Sequence, residues 1–181
     1  MSKRQYPSQE YLRQCFRYKN GKLFWRHRPL RHFYDLRACN TWNSRNSIKE
    51  AGYLNTSMSG GPRWMVSIGH EMYQRANLVW VMHHGNTPPL VDHKNRNSLD
   101  DRIGNLRAGS RKLNSANSKK PSTNTSGIKG VSWNKLTGKW VANIKAEGRQ
   151  IYLGLYTSKH EAGKAYKRAA KMHFGKFACF K

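Results

Sequence analysis

Residues 91–117, VDHKNRNSLDDRIGNLRAGSRKLNSAN, constrain this chain more than any other stretch. An acid–imidazole pair, Asp92-His93, is followed by Asn105 and Asn114, which stand 13 and 22 residues after Asp92. Between the pair and Asn105, the residues Asn95, Asn97, Ser98, Asp100 and Asp101 mark turns, because short polar side chains bond their own backbone. Leu106-Arg107 then reads as a short strand, and Ser110 as the cap of a helix carrying Leu113, Asn114 and Asn117. The expected unit is a hairpin followed by a helix, with polar groups from all three elements converging on one point.

Charge narrows the partner. Lys and Arg number 34 against 9 acids among 181 residues, a formal net charge of +25. Such a charge repels itself and calls for a polyanion, nucleic acid first and an anionic membrane surface second. Basic residues alternate with aromatics, 12% of the chain, whereas a disordered arm is poor in aromatics. The expectation is a folded basic surface. No run approaches the roughly 18 apolar residues of a membrane span, and the N-terminus, MSKRQYPSQEY, lacks the apolar core of a signal peptide. A cytoplasmic protein with no membrane partner is therefore expected. Cys15, Cys39 and Cys179 are odd in number and widely spaced, so they are read as reduced and structural, with no structural zinc.

Along the chain, SQEYLRQCF (8–16) reads as a short helix capped by Ser8, with Leu12, Cys15 and Phe16 inward. Asn20-Gly21 between two aromatic runs predicts a hairpin with a type I′ turn. Residues 26–50 have no clean period and stand either as a loop that wraps DNA or as a plain connection. A β-rich piece with a Gly60-Gly61 turn spans 51–68, and a helix is expected over 72–84 with Met72, Ala76, Val79 and Trp80 on one face. His83 and His84 at its end are either ligands or cations favoured by the helix dipole. SKKPSTNT (118–125) reads as a linker. After it come three strand-like runs, a Ser158…Glu161 capping box and an alanine-rich helix ending at Gly175. The domains are thus 1–117 (a β-rich part, 1–70, and a core, about 72–117), a linker at 118–125, and 126–181.

The pattern D-H-x-N…D-x-R-x-x-N-L-R…N-x-x-N resembles the HNH nuclease motif, in the form common among phage homing endonucleases, where the last position is Asn. Gly52-Tyr53-Leu54, Leu78-Val79-Trp80, Gly85 and Pro88-Pro89 fit the flank, although relatives usually carry His-Arg where this chain has Ala76-Asn77. The resemblance implies an α+β fold, a ββα-metal module, and a DNA endonuclease, in the host cytoplasm if phage-encoded. Hydrolysis needs an activated water and a cation against developing negative charge. His93 is the expected general base, since its unperturbed pKa lies near 6.5. Asp92 and Asn114 are expected to hold one divalent metal, Mg²⁺ or Mn²⁺, with Asn117 the alternative ligand. Asn105 is expected to hold the loop and orient His93. Neighbours on a strand point to opposite faces, so a bend or bulge is expected at Asp92-His93.

Residues 126–181, with 12 basic and 2 acidic groups, resemble the plant ethylene-response-factor (APETALA-type) DNA-binding domain. Lys129-Gly130-Val131, Lys139 to Lys145, Tyr152-Leu153-Gly154 and Ala165-Tyr166…Ala169-Ala170 carry the resemblance. It implies a three-stranded antiparallel sheet lying in the DNA major groove with one helix packed behind. Alternation puts Trp140, Ala142 and Ile144 on the helix side and Val141, Asn143 and Lys145 on the other. Lys129, Ser132, Asn134, Gln150 and Tyr152 join the DNA face by matching position, and Trp133 is either core or contact. The combined reading is a metal-dependent HNH endonuclease of homing type that cuts double-stranded DNA at a site selected by the C-terminal domain, nicking as a monomer, with two-strand cutting left to a dimer or two successive visits. The alternatives are a non-cleaving regulatory or architectural DNA-binding protein and, more distantly, an RNA-binding one.

Overall fold

Ser8 accepts a hydrogen bond from the Tyr11 amide at 3.2 Å and starts helix α1 (Gln9–Cys15), which buries Leu12 and Cys15. Strands β1 (Phe16–Lys19) and β2 (Lys22–Trp25) pair antiparallel. Their turn places Asn20 and Gly21 at φ 48° and 85°, the positive pair that a type I′ turn requires. The structure, a computed structural model, describes residues 5–58, 61–118 and 120–180, with the side chains of Arg111, Lys112 and Ser115 outside the description. Gly60 of the expected glycine turn and Lys119 of the expected linker lie outside the described residues.

Residues 26–50 are neither alternative read from the sequence. They form a 3₁₀ turn (Leu30–His32) and helix α2 (Leu36–Asn46), capped by the Asp35 carboxylate on the Ala38 amide at 2.6 Å. The helix escaped a periodicity reading because its buried face is Cys39 and a polar residue, Asn43. Asn43 accepts from the Arg28 amide and donates to the Arg28 carbonyl, at 2.8 and 2.9 Å. The Arg28 guanidinium fills a box of aromatic rings, 4.8 Å from Trp42 and 4.9 Å from Phe33.

Strands β3 (Tyr53–Asn55), β4 (Arg63–Ile68) and β5 (Glu71–Gln74) form a sheet in that order. The helix expected over 72–84 begins only at Arg75, because Met72 and Tyr73 pair with Ser67 and Val66. Tertiary pairing overrides the helical period there. Helix α3 (Arg75–His84) buries Ala76, Leu78, Val79, Val81 and Met82 around most of its circumference and ends at Gly85 in the left-handed region. It joins Leu12, Phe16, Leu23 and Val66 in one apolar core. Strand β6 (Leu90–His93), a 3₁₀ turn (Ile103–Asn105) and strand β7 (Leu106–Gly109) complete this part.

The chain divides into two compact units, Met1–Ser110 and Arg111–Lys181. The division falls before the segment read as a linker, so helix α4 (Arg111–Asn117) belongs to the second unit. There, strands β8 (Val131–Asn134), β9 (Lys139–Ala146) and β10 (Arg149–Tyr156) form an antiparallel sheet in the order β10-β9-β8. Helix α5 (Lys159–Phe174) is capped by Ser158 and closed by Gly175. Ala162, Ala165, Tyr166, Ala169 and Ala170 pack on Val131, Ala142 and Ile144. Small helix residues allow this close approach: a Cβ on Gly130 would run into the Tyr166 ring. The whole is a mixed α/β chain of small antiparallel sheets and several helices. Cys15, Cys39 and Cys179 are all buried, and none is in a disulfide.

Candidate functional site

Strand β6 and strand β7 pair without interruption, Asp92 opposite Arg107 and His93 opposite Leu106. The bulge expected at Asp92-His93 is absent. The two side chains instead take separate partners, which a regular strand allows.

Asp92 is 4% exposed. Its Oδ2 accepts from Arg107 Nε at 2.8 Å and lies 2.7 Å from Arg107 Nη2. Both guanidinium contacts converge on one carboxylate oxygen.

His93 ends the strand; its carbonyl accepts the Arg96 amide at 2.9 Å, and Arg96 turns the chain at φ 62°. The His93 Nε2 stands 2.9 Å from Asp101 Oδ1. An imidazole nitrogen facing a carboxylate donates, so the neutral ring carries its proton on Nε2 and its basic lone pair on Nδ1. Asp101 is only 2% exposed, and its other oxygen accepts from the equally buried Arg75 Nε at 2.7 Å. Arg75 lies over the Trp64 ring at 4.5 Å and donates to Glu50 Oε1 at 2.9 Å. Glu50 Oε2 in turn takes Lys22 Nζ at 2.8 Å. The imidazole thus ends a chain of alternating charges, and a buried carboxylate in such a chain is held in one orientation.

Asn105 does not hold the His93 ring. Its Oδ1 accepts from the Asn95 amide at 3.0 Å, and its Nδ2 donates to Asn95 Oδ1 and the Asp100 carbonyl at 3.0 and 2.8 Å. These bonds fold the loop that delivers Asp101. Asp100 secures the same loop: Arg102 grips both its oxygens at 2.7 Å, and this hydrogen bonding holds its carboxyl down to about 2. Asp101, which the sequence reading treated only as a turn former, therefore touches the imidazole. The available signal was the Asp100-Asp101 doublet, one acid more than a turn needs.

The hairpin of the first unit supports this loop. Tyr18 Oη accepts the Ile103 amide at 3.0 Å. A Cβ on Gly21 would lie 2.7 Å from the Arg102 backbone nitrogen, so the glycine turn sits directly against the strand-entry segment.

Asn114 is exposed on α4 and Asn117 is buried there, both in the second unit. Among the described residues no group of three or more His, Cys, Asp or Glu could hold a metal. His83 Nδ1 donates to the Val79 carbonyl at 2.8 Å, and the His84 ring lies tilted against Trp80, ring centres 4.0 Å apart.

In the second unit, register puts Ser132 beside Val141, Asn143 beside Tyr152 and Lys145 beside Gln150. Ser132, Lys145, Gln150 and Tyr152 are exposed and Asn143 half-exposed. Two expected members of this face are otherwise engaged. The Lys129 ammonium donates to the Ala116 and Ser118 carbonyls at 2.9 and 2.7 Å, closing the end of α4. Asn134 Oδ1 accepts the Leu136 and Thr137 amides at 2.9 and 3.3 Å and shapes the hairpin turn. Trp133 packs edge-on against Trp140, ring centres 5.0 Å apart, yet remains 47% exposed.

A family model described as HNH endonuclease matches residues 74–116. Protein 3.8 of Escherichia phage T7 is 36% identical over 105 residues, 57% of this chain and 86% of that protein. APETALA2-like protein 2 of Oryza sativa subsp. indica is 40% identical over 50 residues, 28% of this chain. The AP2-like ethylene-responsive transcription factor TOE2 of Arabidopsis thaliana matches to the same degree over the same share. The chain spans only 12% and 10% of those two plant proteins. No solved structure matches the chain.

Proposed function

Since the chain belongs to the family of phage T7 Protein 3.8 and carries an HNH endonuclease domain over residues 74–116, we propose that it is a metal-dependent, homing-type endonuclease that nicks double-stranded DNA. The observation that carries this reading is the Asp92-His93 pair on β6 with the His93 imidazole seated on buried Asp101 at 2.9 Å. DNA binding alone needs no such oriented imidazole.

In this reading His93 takes a proton from water at Nδ1. Asp101, bonded at Nε2, keeps the ring in the tautomer that leaves Nδ1 basic and stabilises the imidazolium that results. Asn105 acts one step further out, by folding the loop that presents Asp101. HNH nucleases as a class use a divalent metal. Asp92 and Asn114 would offer it a carboxylate and a neutral amide oxygen, hard donors that suit Mg²⁺ or Mn²⁺. A divalent cation held there would supply positive charge against the phosphate during bond breaking. The fit is that of an incomplete site. Asp92 already carries Arg107 on one oxygen, so two protein oxygens at most, with DNA phosphate and water completing the shell, make binding depend on DNA. Asn117, buried at the end of α4, is the weaker candidate ligand.

The second unit would choose the site through the exposed sheet face of Ser132, Asn143, Lys145, Gln150 and Tyr152, a two-dimensional array of hydrogen-bonding groups suited to the major groove. The likeness of 50 residues of the chain to the AP2-like ethylene-responsive transcription factor TOE2 supports that role. One HNH domain cuts one strand per visit, so nicking is the expected product.

The Asp92–Arg107 ion pair is the observation that favours a second reading, a DNA-binding protein that does not cut, because Arg107 occupies the carboxylate. Supercoiled plasmid at low salt with Mg²⁺, Mn²⁺ or EDTA separates the two. Open-circular product that EDTA abolishes supports the nuclease; retention of DNA without any scission supports the second reading.

A further inference from the structure

We propose that helix α2 is a second DNA-reading element, an 11-residue surface helix of the first unit that enters a groove of the duplex independently of the C-terminal sheet. The inference rests on the nuclease reading for its partner, and on α2 itself for its place. The helix contains no acidic residue, within a stretch, residues 1–90, of 14 basic and 4 acidic groups. Arg37, Asn40, Thr41, Ser44 and Arg45 are all exposed. Their spacing of three and four puts them on one face as a continuous stripe. A solvent-facing helix of no further use more commonly mixes both signs of charge; this stripe has cations at its two ends and amide and hydroxyl groups between them. Arg and Asn are the side chains that read guanine and adenine edges by paired hydrogen bonds.

The opposite face holds the helix rigid. Asn43 is bonded to the Arg28 backbone, and Trp42 packs edge-on against Trp25 and against Phe33 around the Arg28 guanidinium. A groove of about 540 Å³ runs beside the stripe, lined by Tyr34, Arg37, Thr41, Trp42 and Arg45. Tyr34 at its edge is 90% exposed, an unusual investment of an aromatic ring in solvent unless it meets a partner. At about 1.5 Å per residue α2 is about 16 Å long, enough to cross a major groove about 12 Å wide. The occupant is duplex DNA; an acidic protein would need no such row of amide and hydroxyl groups.

The test uses the full chain on duplex DNA. Salt dependence of binding and hydroxyl-radical footprints are compared for wild type, Arg37→Gln/Arg45→Gln, Asn40→Ala/Thr41→Ala, and Lys164→Gln/Arg168→Gln on α5. Loss of two phosphate contacts should make the log-log salt slope shallower by roughly 1.8, at about 0.9 per phosphate. The α2 arginine pair should show that change and lose one side of the footprint, while plasmid nicking at low salt persists. The Asn40/Thr41 pair, which keeps its charge, should weaken protection on the same side with the slope unchanged. Slopes and footprints equal to wild type in both α2 variants would overturn the proposal while leaving the nuclease intact. An equal slope change in the α5 variant would overturn it as well, by reducing α2 to bulk charge. Absence of nicking in every protein, wild type included, with binding and the α2 effects retained, would instead remove the nuclease reading and keep α2 as a DNA contact.

Discussion

Asp101 and His93 meet at 2.9 Å, carboxylate oxygen to Nε2, and the same carboxylate meets Arg75 at 2.7 Å through its other oxygen. Nothing between Asp101 and solvent would soften this arrangement, since the side chain is almost wholly buried. Asp101→Asn keeps the shape but presents an amide where an acceptor for the His93 N–H belongs. Turnover should fall about 10- to 100-fold, the range for partners that orient a reacting group, with KM for DNA little changed. Asp101→Ala should in addition leave the buried Arg75 Nε without its acceptor, Glu50 still meeting Nη1, and lower stability by about 1–3 kcal/mol. Single-turnover nicking beside urea unfolding reads both effects.

Gly21 offers a test away from the chemistry. Any Cβ there meets the Asp101–Arg102 backbone, and the position requires φ of 85°. Gly21→Ala should push the loop that carries Asp101 and reduce nicking, while the His93 and Asp92 side chains remain present. Asn20→Gly, which relaxes the same turn without a new atom, should leave nicking close to wild type. A Gly21→Ala protein as active as wild type would mean that the hairpin does not position the loop.

Arg107 and a cation compete for Asp92. Manganese titrated into the protein alone should bind weakly, with a dissociation constant above the micromolar range. Arg107→Gln removes the guanidinium pair on Oδ2 and should tighten manganese binding in the absence of DNA. Calorimetry of both proteins reads the difference. Micromolar binding by the wild type would contradict the incomplete site inferred for Asp92 and Asn114.

His32 makes the stability of the first unit depend on pH. Its Nδ1 faces Arg28 Nε at 3.3 Å, and its Nε2 faces Gln14 Oε1 at 2.9 Å. Burial first, and then the nearby Arg28 and Arg31 charges, push its pKa below the ordinary 6.5. The unfolded chain therefore takes up a proton that the folded chain refuses. This contribution is fully present above about pH 6.5 and is lost as pH falls below it toward the lower folded value. Melting temperature should drop between pH 7.5 and 5.5, and His32→Gln should flatten that dependence.

The elements legible in the sequence are those built from local rules. Ser8, Asn20-Gly21, Ser158 and Gly175 each stand where the structure uses them as cap or turn. The face of β9 that packs on α5 followed from alternation at Trp140, Ala142 and Ile144. What escaped depends on partners distant in the chain. Helix α2 buries Asn43 and Cys39 against Arg28, so its inward face carries no apolar period. Strand β5 was hidden because Met72 and Tyr73 also suit the helix that follows. At the site, the Asp92-His93 pair was plain, but the role of Asp101 needs Arg75, 26 residues upstream, which no local pattern announces. Lys129, placed on the DNA face by matching position, holds its ammonium on two carbonyls at the end of α4, a contact that alternation in the sheet does not announce.

The measurement that bears most directly on the nuclease reading is single-turnover scission of supercoiled plasmid by wild type and His93→Ala, with DNA binding measured on the same samples. Metal-dependent nicking by the wild type that is lost in His93→Ala, with binding retained, is the expected outcome. Nicking that survives the substitution would show that His93 is not the base, and the assignment of this site would have to be abandoned.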